Sequence, residues 1–304
     1  MVGLLNFAAV CVLAVAADRT PPREVVDLDL PPEKRWLHIT TQHNCAVMRN
    51  SIAAMAAVST KYKEVLKLAT IAFSNKRPTK GWLPDDQWLE LKSIADACQM
   101  PVGEAVALAG LYDFTAAEGF DSRDCTSIVA QGTATASRPV HGRNLDYPLA
   151  SAMTNITAIF DWHRGGKLVF SSVSYFGMVN FNTVVKPGAF SLSHDQRDDG
   201  PLVANFFDLF IRRRLNTFSA IRKLAETATS YRDALDALVA AKLDAASYMV
   251  IAGTQPGEGA LITRDRDRPA DILTLSDDDQ EEEDDDDDEE EEGHSTRWFL
   301  LETK

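Results

Sequence analysis

The stretch Asp-Cys-Thr-Ser-Ile-Val-Ala-Gln at residues 124–131 decides the fold of this chain. Its second residue is a cysteine. A short β-branched run follows the cysteine, and a turn-rich gap comes after that run. His-Gly-Arg-Asn-Leu-Asp-Tyr at residues 141–147 comes next. Runs of this kind, separated by turn residues, predict two successive strands. Because the first strand begins with a thiol and the second carries arginine, asparagine and aspartate, the pair favours thiol-dependent hydrolysis.

The spacing of apolar residues changes at Cys125. Between about residues 45 and 120 the spacing is helical, and residues 102–114 predict one helix buried on most sides. Beyond Cys125, short β-branched or aromatic segments bounded by Gly, Pro and Asn predict strands. The predicted strands cover residues 125–130, 157–162, 167–175, 189–193, 247–252 and 261–264. Helical spacing returns at residues 202–215 and 220–241, whereas residues 18–36 predict an extended lead-in rich in Pro and charge.

This order of elements predicts an α+β fold in which helices pack on antiparallel sheets. We divide the chain into a signal peptide at residues 1–17, a helical N-terminal region at 18–124 and a catalytic domain at 125–304. The length of 304 residues and the hydrophobic content of 45% suffice for a substantial core.

The N-terminus has features of a secretory signal. Residues 2–16 are apolar without an acidic or basic side chain, and Ala14-Val15-Ala16 offers the small residues that a signal peptidase reads. A membrane anchor is the alternative, but the apolar run is shorter than the ~20 residues that a span requires. The sequon Asn155-Ile156-Thr157 predicts N-glycosylation at Asn155, which fits a lumenal or extracellular protein.

The cysteines indicate one thiol with a purpose of its own. Cys11 lies in the predicted signal, which leaves an odd number, Cys45, Cys98 and Cys125, for an oxidising compartment. Cys45 and Cys98 either pair with each other or are plain buried residues, and both readings stay open. The cysteines and the six histidines show no zinc-site spacing, so we expect no metal.

The net charge of −14 comes from one segment. Residues 277–292 contain fifteen carboxylates and one glutamine, so the rest of the chain is close to neutral. Like charges at this density repel each other and cannot bury apolar surface, which predicts a disordered, solvated insert. Binding of calcium or of a basic partner is the alternative. The near-neutral body argues against nucleic acid as a partner.

Five segments together resemble the N-terminal-nucleophile hydrolases, and within them the N-acylethanolamine-hydrolysing acid amidase and acid ceramidase family. These segments are residues 125–130, 141–147, 187–193, 257–266 and 298–303. The resemblance implies a four-layer αββα sandwich and a precursor that cleaves itself between Asp124 and Cys125 into a helical α chain and a catalytic β chain. It also implies hydrolysis of N-acylethanolamines or ceramide to a fatty acid and an amine, in the lysosomal lumen or outside the cell, without a metal or organic cofactor.

The resemblance assigns roles to four residues around the new N-terminus. Cys125 becomes the nucleophile, and its α-amino group, with an ordinary pKa of about 7.7–8.0, accepts the thiol proton. Arg143 stays protonated, favours the thiolate and orients the acyl carbonyl. Asp146 holds the ammonium group of Cys125 by a charged hydrogen bond. Asn144 supplies a further hydrogen-bond donor.

Two departures from the family pattern concern the same site. Gln196 stands where the family has an acid that supports the arginine; glutamine can bond to a guanidinium but adds no charge. After Glu302-Thr303 the family continues with an asparagine that donates to the oxyanion, whereas this sequence reads Lys304 and stops. Loss of one such donor costs about 10²–10³ in rate. We therefore expect a catalytic domain that is truncated at its C-terminus.

Two other functions stay open. A relative that kept the fold but lost catalysis would bind lipid or regulate another protein, with the bond between Asp124 and Cys125 intact. A Cys-His peptidase would use His141. Alternation along a strand, however, puts His141 on the face of Arg143, and nothing in the spacing fixes its ring against Cys125.

Basic and aromatic residues meet in the segment 206–214. Three arginines at 212–214 follow phenylalanines at 206, 207 and 210. Peripheral contact with a lipid surface is one reading, and an ordinary amphipathic helix with snorkelling arginines is the other.

Overall fold

The computed structural model describes residues 20–74, 81–115, 125–132, 137–146, 150–197, 207–275 and 299–303. The predicted signal segment 1–17, Asp124 and the acidic run 277–292 lie outside the described residues. The described part is an α+β protein, as predicted, with helices leading up to Cys125 and two β-sheets built mainly from the residues beyond it.

Five described α-helices precede Cys125. They are α1 (Gln42–Val58), α2 (Thr60–Ala72), α3 (Asp85–Ala97), α4 (Val102–Ala109) and α5 (Leu111–Thr115). The hydroxyls of Thr41 and Ser59 cap α1 and α2, because each accepts a hydrogen bond from a backbone N–H in the first turn. The single helix predicted over residues 102–114 is wrong, since the chain breaks at Gly110 between α4 and α5.

A disulfide bond between Cys45 and Cys98 joins α1 to the end of α3. The pairing confirms one of the two readings that the sequence left open. Cys125 is a buried free thiol. The described cysteines therefore separate into one structural pair and one thiol available for chemistry.

Eleven described strands form the two sheets. In chain order they are β1 (Arg23–Asp27), β2 (Cys125–Ala130), β3 (Val140–Leu145), β4 (Thr157–Arg164), β5 (Lys167–Tyr175), β6 (Thr183–Lys186), β7 (Phe190–Gln196), β8 (Ser247–Ala252), β9 (Gly259–Arg264), β10 (Pro269–Thr274) and β11 (Phe299–Thr303). The large sheet has the order β1-β4-β5-β6-β7-β8-β9-β10, and the small sheet has the order β11-β2-β3. Every pairing is antiparallel except that of β1 with β4.

The two sheets pack face to face, with helices on the outer face of the large sheet. On β8, Val250 packs with Val129 of the small sheet, whereas its neighbour Met249 belongs to the core shared with the helices. On β7, Ser193 meets Ser127 of the small sheet. Because successive strand residues point to opposite faces, each central strand serves both interfaces. The described residues thus contain three of the four layers implied by the resemblance.

Three described α-helices follow Cys125: α6 (Ala150–Met153), α7 (Thr217–Thr227) and α8 (Tyr231–Ala240). The helical spacing predicted over residues 220–241 corresponds to two helices, because the hydroxyl of Ser230 accepts from the N–H of Asp233 and starts a new helix there. The predicted helix at 202–215 is described only from residue 207, where Asp208–Arg212 forms a π-helical turn. Within the described ranges, no helix is long and apolar enough to cross a membrane.

Residues before Cys125 are fixed to the large sheet at two places. The strand β1, predicted only as an extended lead-in, adds to the sheet edge, where Arg23 bonds to Asp161 at 2.5 Å. Deeper inside, Glu90 of α3 pairs with Arg222 of α7 at 2.5 Å, and both side chains are fully buried. The guanidinium of Arg222 also lies 4.4 Å from the ring centroid of Trp162 on β4. The region upstream of Cys125 is therefore integrated into the fold.

Candidate active site

Cys125 is the first residue of β2, and its side chain points between the two sheets. Alternation along the strand places Cys125 and Ser127 on the same inner face. The hydroxyl of Ser127 lies 2.8 Å from that of Ser193, which fixes this face against the large sheet. Only 7% of Cys125 is exposed. The thiol is therefore held in a protein interior, close to one end of the small sheet.

Arg143 on β3 pairs with Ser127 across the ladder, so its side chain enters the same space. Its Nη2 lies 3.5 Å from the Sγ of Cys125 and donates to the backbone carbonyl of His194 at 2.8 Å. Its Nη1 donates to the hydroxyl of Thr183 at 2.8 Å. These bonds orient the guanidinium, and they bring the predicted nucleophile and the predicted arginine together.

Asp195 on β7 is the carboxylate that pairs with Arg143. Its Oδ1 lies 3.3 Å from the Nε of Arg143, and only 1% of the residue is exposed. Its Oδ2 has no hydrogen-bond partner within the described part of the chain. We did not predict Asp195 from the sequence, because the family pattern places the acid that supports the arginine at the next position, where this chain has Gln196. Alternation along β7 could have found it, because Asp195 shares the face of Ser193 toward the small sheet.

Burial raises the pKa of the Cys125 thiol above its ordinary value. Arg143 acts against this rise, the charge of Asp195 adds to it, and a hydrogen bond from the backbone of Gln196 again lowers the pKa. Burial outweighs the stabilisation of the thiolate, so in the uncut chain the thiol keeps its proton at acid and neutral pH. It needs a base before it can act as a nucleophile.

The remaining predicted residues divide between the site and the surface. Gln196 lines the pocket at Cys125 and contacts the thiol through its backbone. Asn144 and Asp146 are exposed, and the amide of Asn144 donates to the Oδ2 of Asp146 at 2.6 Å. Asn144 alternates with Arg143 and so lies on the opposite face of β3. The uncut chain thus holds these two residues apart from the thiol, and the role expected of Asp146 stays a prediction.

His141 lies further along the ladder between β2 and β3, away from the thiol. Its ring nitrogens lie 2.9 Å from the hydroxyls of Ser191 and Ser193. His141 pairs with Val129, four residues along β2 from Cys125, which corresponds to roughly 13 Å of strand. Burial, aided by the charge of Arg143, lowers the pKa of His141 to about 4. The ring is therefore neutral and engaged with serines rather than with the thiol.

A pocket opens at Cys125 with a mainly apolar wall. Its apolar lining consists of Leu111, Tyr112, Leu145, Met153, Tyr175, Met178 and Phe218. The polar lining consists of Cys125, Arg143, Asn182, His194 and Gln196. Since α5, β3 and α7 all contribute, the pocket is built from both sides of the boundary at Cys125. Among the described residues, no group of three or more His, Cys, Asp or Glu is placed to hold a metal ion.

His194 forms part of this wall as a neutral ring. Its centroid lies 4.2 Å from that of Tyr112 and 5.1 Å from that of Phe218, edge-on in both cases. Burial, aided by the charge of Arg143, lowers the pKa of His194 to about 3. The imidazole therefore stays uncharged even in acid and contributes a flat, largely apolar surface to the pocket.

Fold and site together define an α+β protein with a buried thiol site between two sheets. Its relatives include the N-acylethanolamine-hydrolyzing acid amidases of Caenorhabditis elegans, 30% identical over 300 residues, and Rattus norvegicus, 31% identical over 263 residues. These alignments cover 96% and 86% of this chain and 76% and 69% of the relatives. The acid ceramidase of Mus musculus is 30% identical over 274 residues, with 84% of this chain and 66% of the relative covered.

A family model and a solved structure also match parts of this chain. A family model described as the beta subunit of N-acylethanolamine-hydrolyzing acid amidase matches residues 19–72, which precede Cys125. The solved structure of a Caenorhabditis elegans N-acylethanolamine-hydrolyzing acid amidase ortholog aligns with a TM-score of 0.48 and 30% identity over 59% of this chain and 69% of that one. On the identity and coverage of its relatives, the chain belongs to the N-acylethanolamine-hydrolyzing acid amidase family. It is an amidohydrolase.

Proposed function

We propose that this chain hydrolyses the amide bond of an N-acylethanolamine or a ceramide to a fatty acid and an amine. The observation that carries the proposal is the contact between the Arg143 guanidinium and the Cys125 thiol, 3.5 Å apart inside the protein. The names of the relatives, acid amidases and acid ceramidases, support it. The mainly apolar pocket at the thiol suits an acyl chain.

In this proposal, cleavage between Asp124 and Cys125 activates the chain. The uncut thiol keeps its proton because burial raises its pKa. Cleavage adds the α-amino group of Cys125 as a base, and its ordinary pKa of about 7.7–8.0 suits proton uptake from a thiol. The resemblance assigns the resulting ammonium group to Asp146, which must turn from the surface toward the new N-terminus to reach it.

The chemical step then follows from the residues at the site. The thiolate of Cys125 attacks the carbonyl carbon of the amide, and Arg143 stabilises the negative charge on the oxygen. The ammonium group returns its proton to the leaving nitrogen as the C–N bond breaks, which leaves a thioester and a free amine. Water then attacks the thioester, with the α-amino group of Cys125 as the base. This step releases the fatty acid and restores the thiol.

We further propose that the parts before and after Cys125 stay together as a heterodimer once the chain is cut. The buried pair of Glu90 and Arg222 joins them, and so does the ladder between β1 and β4. Removing one partner from such a pair leaves an uncompensated buried charge, so separation of the chains is costly. The model named for the beta subunit matches residues before Cys125, in the part called the α chain above, so it accords with a two-chain enzyme but not with these chain labels.

A lumenal or extracellular site of action is part of the proposal. The disulfide of Cys45 and Cys98 suits an oxidising compartment. The side chain of the sequon residue Asn155 is exposed, as glycosylation requires. Peripheral contact with lipid is supported by Phe207 and Ile211, which are 48% and 65% exposed on the turn that carries Arg212.

The test measures fatty acid released from an N-acylethanolamine and from a ceramide at acid pH, with the intact mass of each protein recorded in parallel. Wild type should hydrolyse one substrate or both, whereas Cys125→Ala should remain uncut and inactive. Ser127→Ala, on the same face of the same strand, is the matched control and should be cut and active. Hydrolysis by Cys125→Ala would contradict the proposal. Lipid binding by an uncut and inactive wild type would favour a non-catalytic relative instead.

A further inference from the structure

Two carboxyl groups meet in the interior where the N-terminal helices join the catalytic region. Asp113 lies on α5, before Cys125, and Asp244 lies just beyond α8. They are 2% and 0% exposed and hydrogen-bond to each other through their side chains. Two carboxylate charges in contact and away from water repel each other, so the folded state favours a proton on the pair.

The partners of the pair come from both sides of Cys125. Trp82 donates its indole N–H to the Oδ2 of Asp244 at 2.6 Å. Thr217, the first residue of α7, donates its backbone N–H and its hydroxyl to the Oδ1 of Asp244 at 3.2 and 3.1 Å. The side-chain amide of Asn216 donates to Asp113. The two carboxyl groups therefore tie α5 and the segment before α3 to the start of α7.

Two arginines on the segment that leads into α7 and on α7 itself are ion-paired with other acids. Arg214, on the approach to α7, forms ion pairs with Asp208 at 3.3 Å and with Asp267 at 2.6 Å. Arg222, one turn further along α7, is bound to Glu90 at 2.5 Å. The positive charges of both arginines are therefore balanced by acids outside the pair.

The pair also lies directly behind the wall of the active-site pocket. Tyr112 precedes Asp113, and Phe218 follows Thr217. The two rings stack with centroids 5.3 Å apart, and both line the pocket beside Cys125. A change in the contact between the carboxyl groups therefore reaches the pocket through adjacent residues.

We propose that Asp113 and Asp244 form an acid-dependent clasp, which holds the N-terminal helices against α7, and with them the pocket wall, while protonated and loosens when it loses its protons. Burial raises the pKa of Asp113 well above the ordinary value, and the charge of Asp244 raises it further. Burial likewise raises the pKa of Asp244 to about 6. From about pH 4, where free aspartate titrates, the folded chain binds more protons than the unfolded one. This difference extends through pH 6 because of Asp244 and further upward because the pKa of Asp113 is also raised. The clasp therefore stabilises the fold in acid, and this contribution falls as the pH rises through that window.

The test compares urea unfolding of the full chain near pH 5 and near pH 7.5 for wild type and Asp113→Asn. The amide introduced by this substitution can donate to Asp244 as the shared proton does, without adding charge. Asp113→Asn should therefore be more stable than wild type near pH 7.5. The factor by which its unfolding equilibrium constant changes between the two pH values should be at least ~10-fold smaller than in wild type, which corresponds to one proton taken up over about one pH unit. Asp236→Asn, an exposed carboxyl on α8, is the control and should keep the wild-type dependence.

A second variant keeps the test decisive if the first folds poorly. Asp244→Asn removes the same charge but leaves one fewer acceptor for Trp82 and Thr217. It should therefore be less stable than wild type at both pH values, and its stability should show the same reduced dependence on pH. An unchanged pH dependence in either variant, or failure of both to fold near pH 7.5, would overturn the clasp. His141 and His194 titrate in the opposite sense in acid and are common to all variants, so the differences isolate the pair. The readout needs no hydrolysis and is independent of the proposed function.

Discussion

The guanidinium of Arg143 stands between the thiol of Cys125 and the carboxylate of Asp195. Its Nη2 is 3.5 Å from the Sγ of Cys125, and its Nε is 3.3 Å from the Oδ1 of Asp195. The arginine lowers the pKa of the thiol, whereas the aspartate raises it. Asp195 therefore fixes the position of the cation and at the same time weakens its effect on the thiol. Substitutions at Arg143 and Asp195 can distinguish the positioning of the cation from the effect of the aspartate on the thiol pKa.

Arg143→Lys should lower kcat/KM by about 10²–10³ with little change in binding of the acyl chain. Lysine keeps the positive charge but cannot contact the thiol, Thr183 and Asp195 with one planar group. Steady-state kinetics of the processed protein would measure this. Arg164→Lys, at a surface ion pair with Glu226, serves as the control and should retain wild-type kinetics. Unimpaired turnover by Arg143→Lys would remove the arginine from the mechanism.

Asp195→Asn should make the Cys125 thiol more acidic, because it removes a charge that raises the thiol pKa. The rate of alkylation by iodoacetamide, followed against pH in the uncut chain, should rise at a lower pH than in wild type. Asp146→Asn offers a matched control, since its carboxylate is exposed and bonded to Asn144. Equal shifts of the alkylation profile in both variants, or none in Asp195→Asn, would argue against the electrostatic role of Asp195.

His141→Gln should leave hydrolysis within about threefold of wild type, since its hydrogen bonds go to two serines and not to the thiol. The folded state holds the imidazole neutral with a pKa of about 4. The unfolded chain therefore binds more protons between pH ~6.5 and ~4, and wild type loses stability as the pH falls through that window. Urea unfolding at several pH values should show a smaller acid loss in the variant. Abolished hydrolysis in a folded His141→Gln protein would instead support a cysteine-histidine mechanism.

Replacing Cys45 and Cys98 together by serine should lower the free energy of unfolding by about 2–4 kcal/mol. The disulfide closes a loop between α1 and α3, and its removal frees the unfolded chain. Urea unfolding with and without reductant would test this, since reductant should destabilise wild type and leave the double variant unchanged. Sensitivity of the double variant to reductant would indicate that another bond is being reduced.

The β-branched and aromatic segments of the sequence predicted several strands with correct bounds. The predicted strands at residues 125–130, 167–175 and 247–252 match β2, β5 and β8 residue for residue. Strand β1 was missed because its charged residues face solvent at the sheet edge and its stability comes from pairing with β4. The break at Ser230 was missed for a related reason, as an N-cap inside an apolar periodic stretch leaves the periodicity intact.

Within the candidate site, only contacts between adjacent strands could be predicted from the sequence. Cys125 and Arg143 lie on adjacent strands, so their proximity follows from local pairing. Asp195 reaches Arg143 from the other sheet, and sequence spacing gives no measure of that packing. Strands β2 to β7 and helices α6, α7 and α8 lie between Asp113 and Asp244 along the chain, which places the pair beyond any local pattern. Contacts between layers therefore had to come from the structure.

Cleavage that makes Cys125 the N-terminal nucleophile is tested most directly by identifying the first residue of the catalytic chain. This residue would be read by mass spectrometry or Edman degradation after incubation at acid pH. We predict Cys125 as the first residue, with hydrolysis of the lipid amide appearing at the same rate as the new terminus. A protein that hydrolyses the substrate while the bond between Asp124 and Cys125 stays intact would contradict it.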